Sequence, residues 1–215
     1  MEHRKRTRQI TFNKVIEQID GEYSTMTAAL KRCWKVDKPL YLKYHDEEWG
    51  VPVHDDQKLF EFLVLDGFQA GLSWWLILER REPFRAAFND FDPAKVAKYT
   101  TNDINRLINA PGVVKNLAKI SAAINNAQQL LKVQKEFGSF DTFIWQFVNG
   151  KTIQNAFKGF SEMPAETEQS KVMNQELKKR GFKFVGPTIC YAFMQAAGLV
   201  NDHLVDCFRY AQLQS

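Results

Sequence analysis

Two Cys/His pairs stand at opposite ends of this 215-residue chain: Cys33 with His45, and His203 with Cys207. The second pair is four positions apart, so on a helix both side chains would rise from one face. The twelve-residue spacing of the first pair suits a loop followed by a short turn. Two thiolates and two imidazoles are preferred ligands of a tetrahedral structural Zn²⁺. A metal held by all four would close a loop of more than 150 residues, which no local motif could do.

Spacing alone leaves a second interpretation open. The cysteines could be ordinary buried thiols and the histidines satisfied polar groups, and the 158 positions between the pairs favour this simpler account. The chain has three cysteines, an odd number that argues against a disulfide framework and fits a reducing compartment. No apolar run approaches the roughly 18 to 20 residues of a membrane span, and residues 1–8 lack the apolar core of a signal peptide. We therefore expect a cytoplasmic protein without a membrane partner.

The net charge of +4 is concentrated at the N-terminus. Residues 1–8 contribute +3 of it, so the rest of the chain is nearly neutral. Any contact with nucleic acid is then expected to come from local patches, chiefly Lys178, Lys179, Arg180 and Lys183. The same cations would also be ordinary at the end of a helix.

Helical patterns with recognisable start signals follow one another from residue 33 onward. Asp55 or Asp56, Ser73 and Asp92 are placed to cap three helices, of which the second is predicted from Trp74 to about residue 88. Residues 115–133 form the longest run, and no segment has a convincing strand alternation. The sequence therefore predicts an all-α fold, with a basic extension at 1–31 that can form a helix, a domain at 32–208 and a tail at 209–215.

Asp66 breaks an apolar stripe. Leu59, Phe62 and Leu63 follow helical spacing, and the next position of that stripe is Asp66. A carboxylate there is paired in the core, lines a cavity or caps the helix end, and the pattern alone favours the cap. The following residues 67–75 contain a glycine-bounded turn and two tryptophans. A carboxylate beside aromatic faces would suit a flat, cationic, hydrogen-bonding ligand.

Aromatic residues are also dense around His45. Tyr41, Tyr44 and Trp49 surround it in the sequence, so a metal-bound His45 would fix them as one wall of a pocket. Ordinary core packing is the alternative for any one of these rings.

Residues 176–190 predict two helices joined by a short turn that has a glycine at each end, Gly181 and Gly186. The glycines allow a tight turn and leave backbone N–H groups exposed where the second helix begins, a favourable position for a phosphate. Lys183 adds a cation within the turn. Such a turn can bind a DNA backbone without reading its sequence, although helix turns with two glycines are common.

Four blocks of the sequence resemble the 3-methyladenine DNA glycosylase I family, a branch of the helix-hairpin-helix DNA glycosylases. They are YHDEEWGVP at 44–52, QAGLSW at 69–74, KKRGFKFVG at 178–186 and GLVNDH at 198–203. The resemblance covers roughly residues 32–208 and implies a glycosylase domain with its helix-hairpin-helix at about 170–198. It also implies one structural zinc that joins the N- and C-terminal segments through Cys33, His45, His203 and Cys207.

The resemblance further implies roles in DNA binding. The residues that correspond to the family's base pocket are Tyr41, Tyr44, Trp49 and Trp74. Gly71 and Leu72 correspond to the residues that enter the gap left in the duplex, and Gly181, Lys183 and Gly186 correspond to those that contact the DNA backbone. The expected partner is double-stranded DNA that contains alkylated bases. We expect the protein to bind it as a monomer.

The implied activity is hydrolysis of the N-glycosidic bond of 3-methyladenine in base-excision repair, without lyase activity. The family's base-contacting carboxylate is typically glutamate, and its position matches Asp66. Where many helix-hairpin-helix glycosylases have a catalytic aspartate, this chain has Asn201, and the 3-methyladenine branch likewise lacks the aspartate. Because of Asp66, a catalytically altered or inactive DNA-binding member of the family is the alternative.

Overall fold

The computed structural model describes residues 30–214 apart from residue 36. Within them the chain is mostly helical, with α1 (Pro39–Glu47), α2 (Asp56–Gln69), α3 (Trp74–Glu79), α4 (Arg81–Ala87), α5 (Pro93–Val96), α6 (Thr101–Asn109), α7 (Leu117–Phe137), α8 (Phe140–Trp145), α9 (Glu168–Lys179), α10 (Pro187–Ala196) and α11 (Phe208–Gln212). Short 3-10 turns span Asn89–Phe91, Gln146–Val148 and Phe160–Glu162. None of the helices in this described part is long and apolar enough to cross a membrane. The helix proposed for residues 1–31 falls on residues that are nearly all outside the described range.

Side-chain caps fix where several helices begin. Asp55 accepts a hydrogen bond from a backbone N–H in the first turn of α2, and Ser73 does the same for α3. Asp92 caps α5, whose first residue is Pro93. These three predicted helix starts are confirmed.

The single helix predicted from Trp74 to about residue 88 is wrong, because two helices occupy this segment. α3 ends at Glu79, and α4 begins at Arg81. Pro83 explains the break, since it has no N–H for the carbonyl of Glu79 and its ring would clash with that carbonyl in a continuous helix. The chain restarts so that the proline falls in the first turn of α4.

The central helix is α2, and every residue from Leu59 to Phe68 along it is buried. It contacts α3, α7, α8 and α10. A helix that is covered on all sides has no solvent face for a charged residue, yet α2 carries Glu61 and Asp66 within the buried run. Glu61 is ion-paired with Lys58 and Arg85, so Asp66 is the residue that needs another explanation.

Two short strands join distant parts of the chain. β1 (Ile153–Gln154) and β2 (Val200–Asn201) are parallel, with Ile153 opposite Val200. The expectation of no strand is therefore wrong at this pair, because two-residue strands are too short to show an alternating pattern. Just before β2, Gly198 packs against the loop after α1, and a Cβ on it would lie 2.3 Å from the Val51 carbonyl carbon. The end of the domain is thereby fixed against its beginning.

His203 and Cys207 do not lie on a helix, so the shared helix face that their spacing would allow is not what brings them together. Between β2 and α11 the chain forms a turn, in which the Cys207 N–H donates to the Leu204 carbonyl at 2.8 Å. α11 begins at Phe208, one residue later. At the other end, His45 lies in α1 and Cys33 lies in the loop before it. The side chains meet through loop geometry and not through a shared helix face.

The turn between α9 and α10 is held from outside by asparagines of α7. Asn126 accepts a hydrogen bond from the Lys183 N–H and donates one to the Lys183 carbonyl, both at 2.8 Å. The neighbouring Asn125 donates to the Gly181 carbonyl at 2.8 Å. We call residues 180–186 the hairpin, and its backbone is fixed to α7 by these bonds.

Candidate functional site

Four metal-ligand side chains from opposite ends of the chain meet in one buried cluster. The Cys33 Sγ lies 3.3 Å from His203 Nδ1, and the Cys207 Sγ lies 3.5 Å from both His203 Nδ1 and His45 Nε2. One ligand atom from each residue lies within 4.8 Å of the other three. The predicted grouping of Cys33, His45, His203 and Cys207 is confirmed, and the cluster could hold a metal ion.

Each imidazole of this cluster also has a polar partner at its second ring nitrogen, the one that faces away from the thiols. His203 Nε2 lies 2.9 Å from the Trp49 carbonyl oxygen, and His45 Nδ1 lies 2.7 Å from a carboxylate oxygen of Asp46. A carbonyl only accepts, so His203 carries its proton on Nε2 and turns the lone pair of Nδ1 toward the thiols. Outer partners of this kind orient metal-ligating histidines in proteins.

The two thiols differ in their acidity. A hydrogen bond to Cys207, together with burial, raises the pKa of Cys33. The same bond, with contacts from both imidazoles, lowers the pKa of Cys207 in spite of burial. The cluster thus favours one thiolate, and the thiolate is the form of cysteine that binds metals.

Aromatic side chains surround a cavity of about 230 Å³ next to this cluster. Tyr41, Tyr44, Trp49 and Trp74 all line it, as predicted, and the rings of Tyr44 and Trp74 lie 5.2 Å apart. The Trp49 ring also contacts the His203 ring at 4.6 Å, so one wall of the cavity rests on the cluster. The volume lies below the range of about 300 to 1,000 Å³ typical of sites for drug-sized ligands. It suits a single small ring system.

Asp66 faces the same cavity and is 4% exposed. Among the described residues, nothing donates a hydrogen bond to its Oδ2. Burial raises the pKa of this carboxyl group well above its ordinary value. α2 continues for three more residues to Gln69, so the capping alternative is wrong and Asp66 lines a cavity. A buried polar atom without a partner in a cavity wall is suited to a ligand that brings its own donor.

A larger groove of about 430 Å³ lies elsewhere and shares no lining residue with the aromatic cavity. Its arginine, Arg180, is paired with Glu136 through two hydrogen bonds at 2.6 and 3.0 Å. This groove is larger but lacks a convergent set of unpaired polar groups, so the aromatic cavity is the better candidate.

The residues expected to contact DNA lie at the surface. Leu72 is 39% exposed in the loop between α2 and α3. Gly71 before it has a φ of 76°, and a Cβ there would meet no atom within 4 Å. Glycine is therefore required at this position for its backbone conformation and not for space. Gly181 and Lys183 are exposed in the hairpin, and Gly186 is half-buried at the start of α10.

The model of the family described as methyladenine glycosylase matches residues 34–210 of this chain. The chain belongs to this methyladenine glycosylase family. It is 48% identical over 182 residues to DNA-3-methyladenine glycosylase 1 of Escherichia coli (strain K12), and the aligned residues make up 84% of this chain and 97% of that protein.

Solved structures of methyladenine glycosylases have the same fold. A crystal structure of 3-methyladenine DNA glycosylase I is 47% identical, with a TM-score of 0.81 over 83% of this chain and 98% of that one. A variant of 3-methyladenine DNA glycosylase I in complex with 3-methyladenine is 40% identical, with a TM-score of 0.79 over 80% and 93% of the two chains.

In this methyladenine glycosylase the segment after α10 places no free carboxylate in the pocket. Asn201 donates to Gln154 Oε1 at 2.8 Å and to the Tyr210 carbonyl at 3.1 Å, so it joins β1 to α11. Asp202 is buried and accepts hydrogen bonds from Tyr191 at 2.6 Å and Gln195 at 2.7 Å. Both side chains are occupied in holding the fold.

Sequence reasoning missed two aromatic residues of this pocket. Trp34 lines it, 4.8 Å from the Trp49 ring, and its indole N–H has no acceptor among the described residues. Phe160 stacks on Trp34 at 6.5 Å and is 48% exposed at the rim. Trp34 could have been found from its place next to Cys33, whereas Phe160 gives no signal of its own in the sequence.

Proposed function

We propose that this methyladenine glycosylase family member is a monofunctional DNA-3-methyladenine glycosylase, which hydrolyses the N-glycosidic bond of 3-methyladenine in duplex DNA and acts in base-excision repair. The observation that carries the proposal is the free Oδ2 of Asp66 in an aromatic cavity of single-base size. The names and the 3-methyladenine complex of its relatives support the same substrate.

Catalysis follows from the charge of the substrate. An adenine nucleotide methylated at N3 carries a positive charge on the base, which makes the base a good leaving group without a general acid. The electron-rich faces of Tyr44 and Trp74 stabilise this cation, and base stacking on an aromatic ring contributes about 1 to 3 kcal/mol. Asp66 accepts a hydrogen bond from the exocyclic amine of the base.

The approach of the cationic base changes the protonation of Asp66. Burial raises the pKa of the carboxyl group, and the positive charge of the base opposes that effect. The carboxyl proton passes to solvent, and the carboxylate pairs with the cationic base. The N-glycosidic bond breaks with its electron pair going to the base, which leaves as neutral 3-methyladenine, and water adds to the sugar carbon and releases a proton to solvent. No lysine lines the described part of the pocket, so no Schiff base with the sugar and no lyase step is expected.

The DNA is held at two places. Leu72, with Gly71, fills the gap that the flipped base leaves in the duplex. The hairpin and the start of α10 form a helix-hairpin-helix motif, in which Gly181, Lys183 and Gly186 present N–H groups and a cation to the phosphates. One duplex needs no symmetric partner, so we expect a monomer.

The Cys/His cluster holds one structural zinc ion. Its two thiols and two imidazole nitrogens are the tetrahedral donor set that Zn²⁺ prefers, and four protein ligands leave no open position for a substrate. The zinc joins the two ends of the domain and supports the pocket through Trp49, without taking part in hydrolysis.

Aspartate at position 66 shortens the reach toward the base relative to the family's usual glutamate. The difference is one methylene group, about 1.5 Å. We therefore expect this protein to release 3-methyladenine with a rate or lesion preference that differs from relatives with glutamate.

The test compares base release from alkylated duplex DNA by the wild type, Asp66→Glu and Asp66→Asn. We expect Asp66→Asn to release 3-methyladenine about 10- to 100-fold more slowly, since the amide cannot supply the charge that pairs with the cation. Asp66→Glu should keep measurable activity with a changed preference among alkylated bases. Equal activity of all three would refute the role of this carboxylate, and an inactive wild type would favour a DNA-binding member without catalysis.

A further inference from the structure

Lys119 is a cation placed against the electrostatics of its own helix. It lies in the first turn of α7, where the helix dipole disfavours positive charge. It is only 8% exposed, and burial lowers the pKa of its amine from the ordinary value. A buried lysine at the wrong end of a helix is retained only if another partner compensates.

That partner is the end of α2. The Lys119 Nζ donates to the Phe68 carbonyl at 2.8 Å and to the Ala70 carbonyl at 2.6 Å. The C-terminus of a helix carries free carbonyls and partial negative charge, both of which a lysine satisfies. The Ala70 carbonyl comes directly before Gly71 and Leu72, the Phe68 carbonyl lies two residues earlier, and α2 also carries Asp66 one turn before Ala70.

The same face of α7 holds the hairpin. Asn126, seven positions after Lys119, binds both backbone groups of Lys183. Positions seven apart lie on one face of a helix. Two alanines, Ala122 and Ala123, lie between them on the side of α7 that faces α2, and α7 contacts α2. α7 therefore connects the loop that precedes α3 to the hairpin by one rigid span.

We propose that Lys119 is a positioning residue, which fixes the loop of Gly71 and Leu72 at a set distance from the phosphate-binding hairpin. Leu72 can then enter the duplex only when the hairpin is seated on the backbone. This inference rests on the proposed role of Leu72 in DNA. Lys119 itself touches neither the base nor the sugar.

The experiment is a double-mutant cycle on single-turnover release of 3-methyladenine from alkylated duplex DNA. We expect Lys119→Met to slow release about 10- to 100-fold, because a displacement of about 1 Å can have that effect. Leu72→Ala should also slow release, and the double variant should be no slower than the worse single one, since Lys119 acts through the loop. Lys119→Arg should restore most of the rate.

Two further measurements separate positioning from a general loss of structure. Affinity for free 3-methyladenine, followed by tryptophan fluorescence, should stay within about twofold of the wild type in Lys119→Met, because neither Lys119 nor Gly71 nor Leu72 lines the pocket. Lys132→Met is the matched control, since Lys132 is an exposed lysine of the same helix. If Lys119→Met melts too low to assay, the cycle is run with Lys119→Gln, which keeps a neutral donor.

The outcomes are distinct. Rates that multiply in the double variant, or a free-base affinity that falls as far as the excision rate, would overturn the positioning role alone. A wild-type rate for Lys119→Met would do the same. A wild-type rate for Leu72→Ala would remove the proposed role of Leu72 and this inference with it, while the excision activity itself would stand.

Discussion

At the scale of single residues, Asp66 is a site where function opposes stability. Its carboxyl group is buried, and burial raises its pKa, so the folded protein binds a proton that the unfolded chain releases above its ordinary pKa of about 4. In that range the unfolded chain holds fewer protons, and folding stability falls as the pH rises toward the folded-state pKa. An asparagine at this position does not ionise, so it would not lose stability as the pH rises.

We therefore predict that Asp66→Asn melts at a higher temperature than the wild type, and that the difference grows as the pH rises above about 4, the ordinary pKa of an aspartate. Thermal unfolding at several pH values measures it. The matched control is Asp202→Asn, because the Asp202 carboxylate accepts hydrogen bonds at both oxygens, from Tyr191 and Gln195 at Oδ2 and from Asn155 at Oδ1, whereas an amide can accept at only one of these positions. That variant should melt lower than the wild type. A melting temperature of Asp66→Asn that is lower at every pH would contradict the account of Asp66 as a group left unpaired for a ligand.

The sequence signalled some of these residues and not others. Asp66 was visible because it interrupts an apolar stripe, although the pattern favoured a cap. The role of Lys119 could not be predicted from the sequence, because a lysine in a helical pattern predicts a solvent-exposed side chain. Its hydrogen-bond acceptors are backbone carbonyls 51 and 49 positions away. Contacts between side chains and a distant backbone leave no trace in residue spacing.

At the scale of elements, the end of α1 is joined to the start of α4 by a paired arginine. Both amino groups of Arg81 donate to the Glu48 carboxylate at 2.7 Å, and Arg81 is 9% exposed. Although burial opposes its ionisation, Glu48 has a lowered pKa because of this guanidinium. The pair fixes the segment that carries Tyr44 and Trp49 against the core.

We predict that Arg81→Met destabilises the fold by about 3 kcal/mol, at the low end for a broken buried pair because Lys58 remains near Glu48. The double variant Glu48→Gln with Arg81→Met should lose less stability than Arg81→Met alone, since neither residue of the pair then carries an unpaired charge. Chemical denaturation measures both. Lys43→Ala is the control, because Lys43 and Glu47 form an exposed pair at 4.0 Å in the same helix. An equal loss of stability in Arg81→Met and Lys43→Ala would show that the buried pair stabilises the fold no more than the exposed pair does.

Helix starts were predictable where a local cap determines them, as at Asp55, Ser73 and Asp92. The break at Arg80 was not predicted, although Pro83 gives its physical cause. The pairing of β1 with β2 joins residues 47 positions apart in register and involves two residues on each side. No periodic pattern can emerge from so short a strand, so tertiary contacts alone determine it.

At the scale of the whole molecule, the chain closes on itself through three kinds of contact. The Cys/His cluster and the packing of Gly198 against Val51 join the two ends of the domain, and the strand pair joins its C-terminal end to residues 153–154. Spacing favoured ordinary buried thiols over a metal site, and the resemblance to a family reversed that preference. The structure brings the four side chains together, and loops rather than one helix face place His203 and Cys207 in the cluster.

The metal proposal gives the last prediction, which concerns the whole fold. The purified protein should contain about one zinc per chain, and its removal by a chelator should lower the melting temperature by about 10 °C, equivalent to about 3 to 5 kcal/mol for a domain of this size. Binding of free 3-methyladenine should weaken in parallel, because the rings of Trp49 and Trp34 contact the histidines of the cluster.

Cys33→Ala should lose the metal, whereas Cys190→Ala should retain it, since Cys190 is a buried thiol outside the cluster. Metal analysis by mass spectrometry, with melts of both variants, measures this. A Cys33→Ala protein that keeps a full equivalent of zinc would rule out this cluster as the site, and removal of zinc without change in the melt would assign the metal another role.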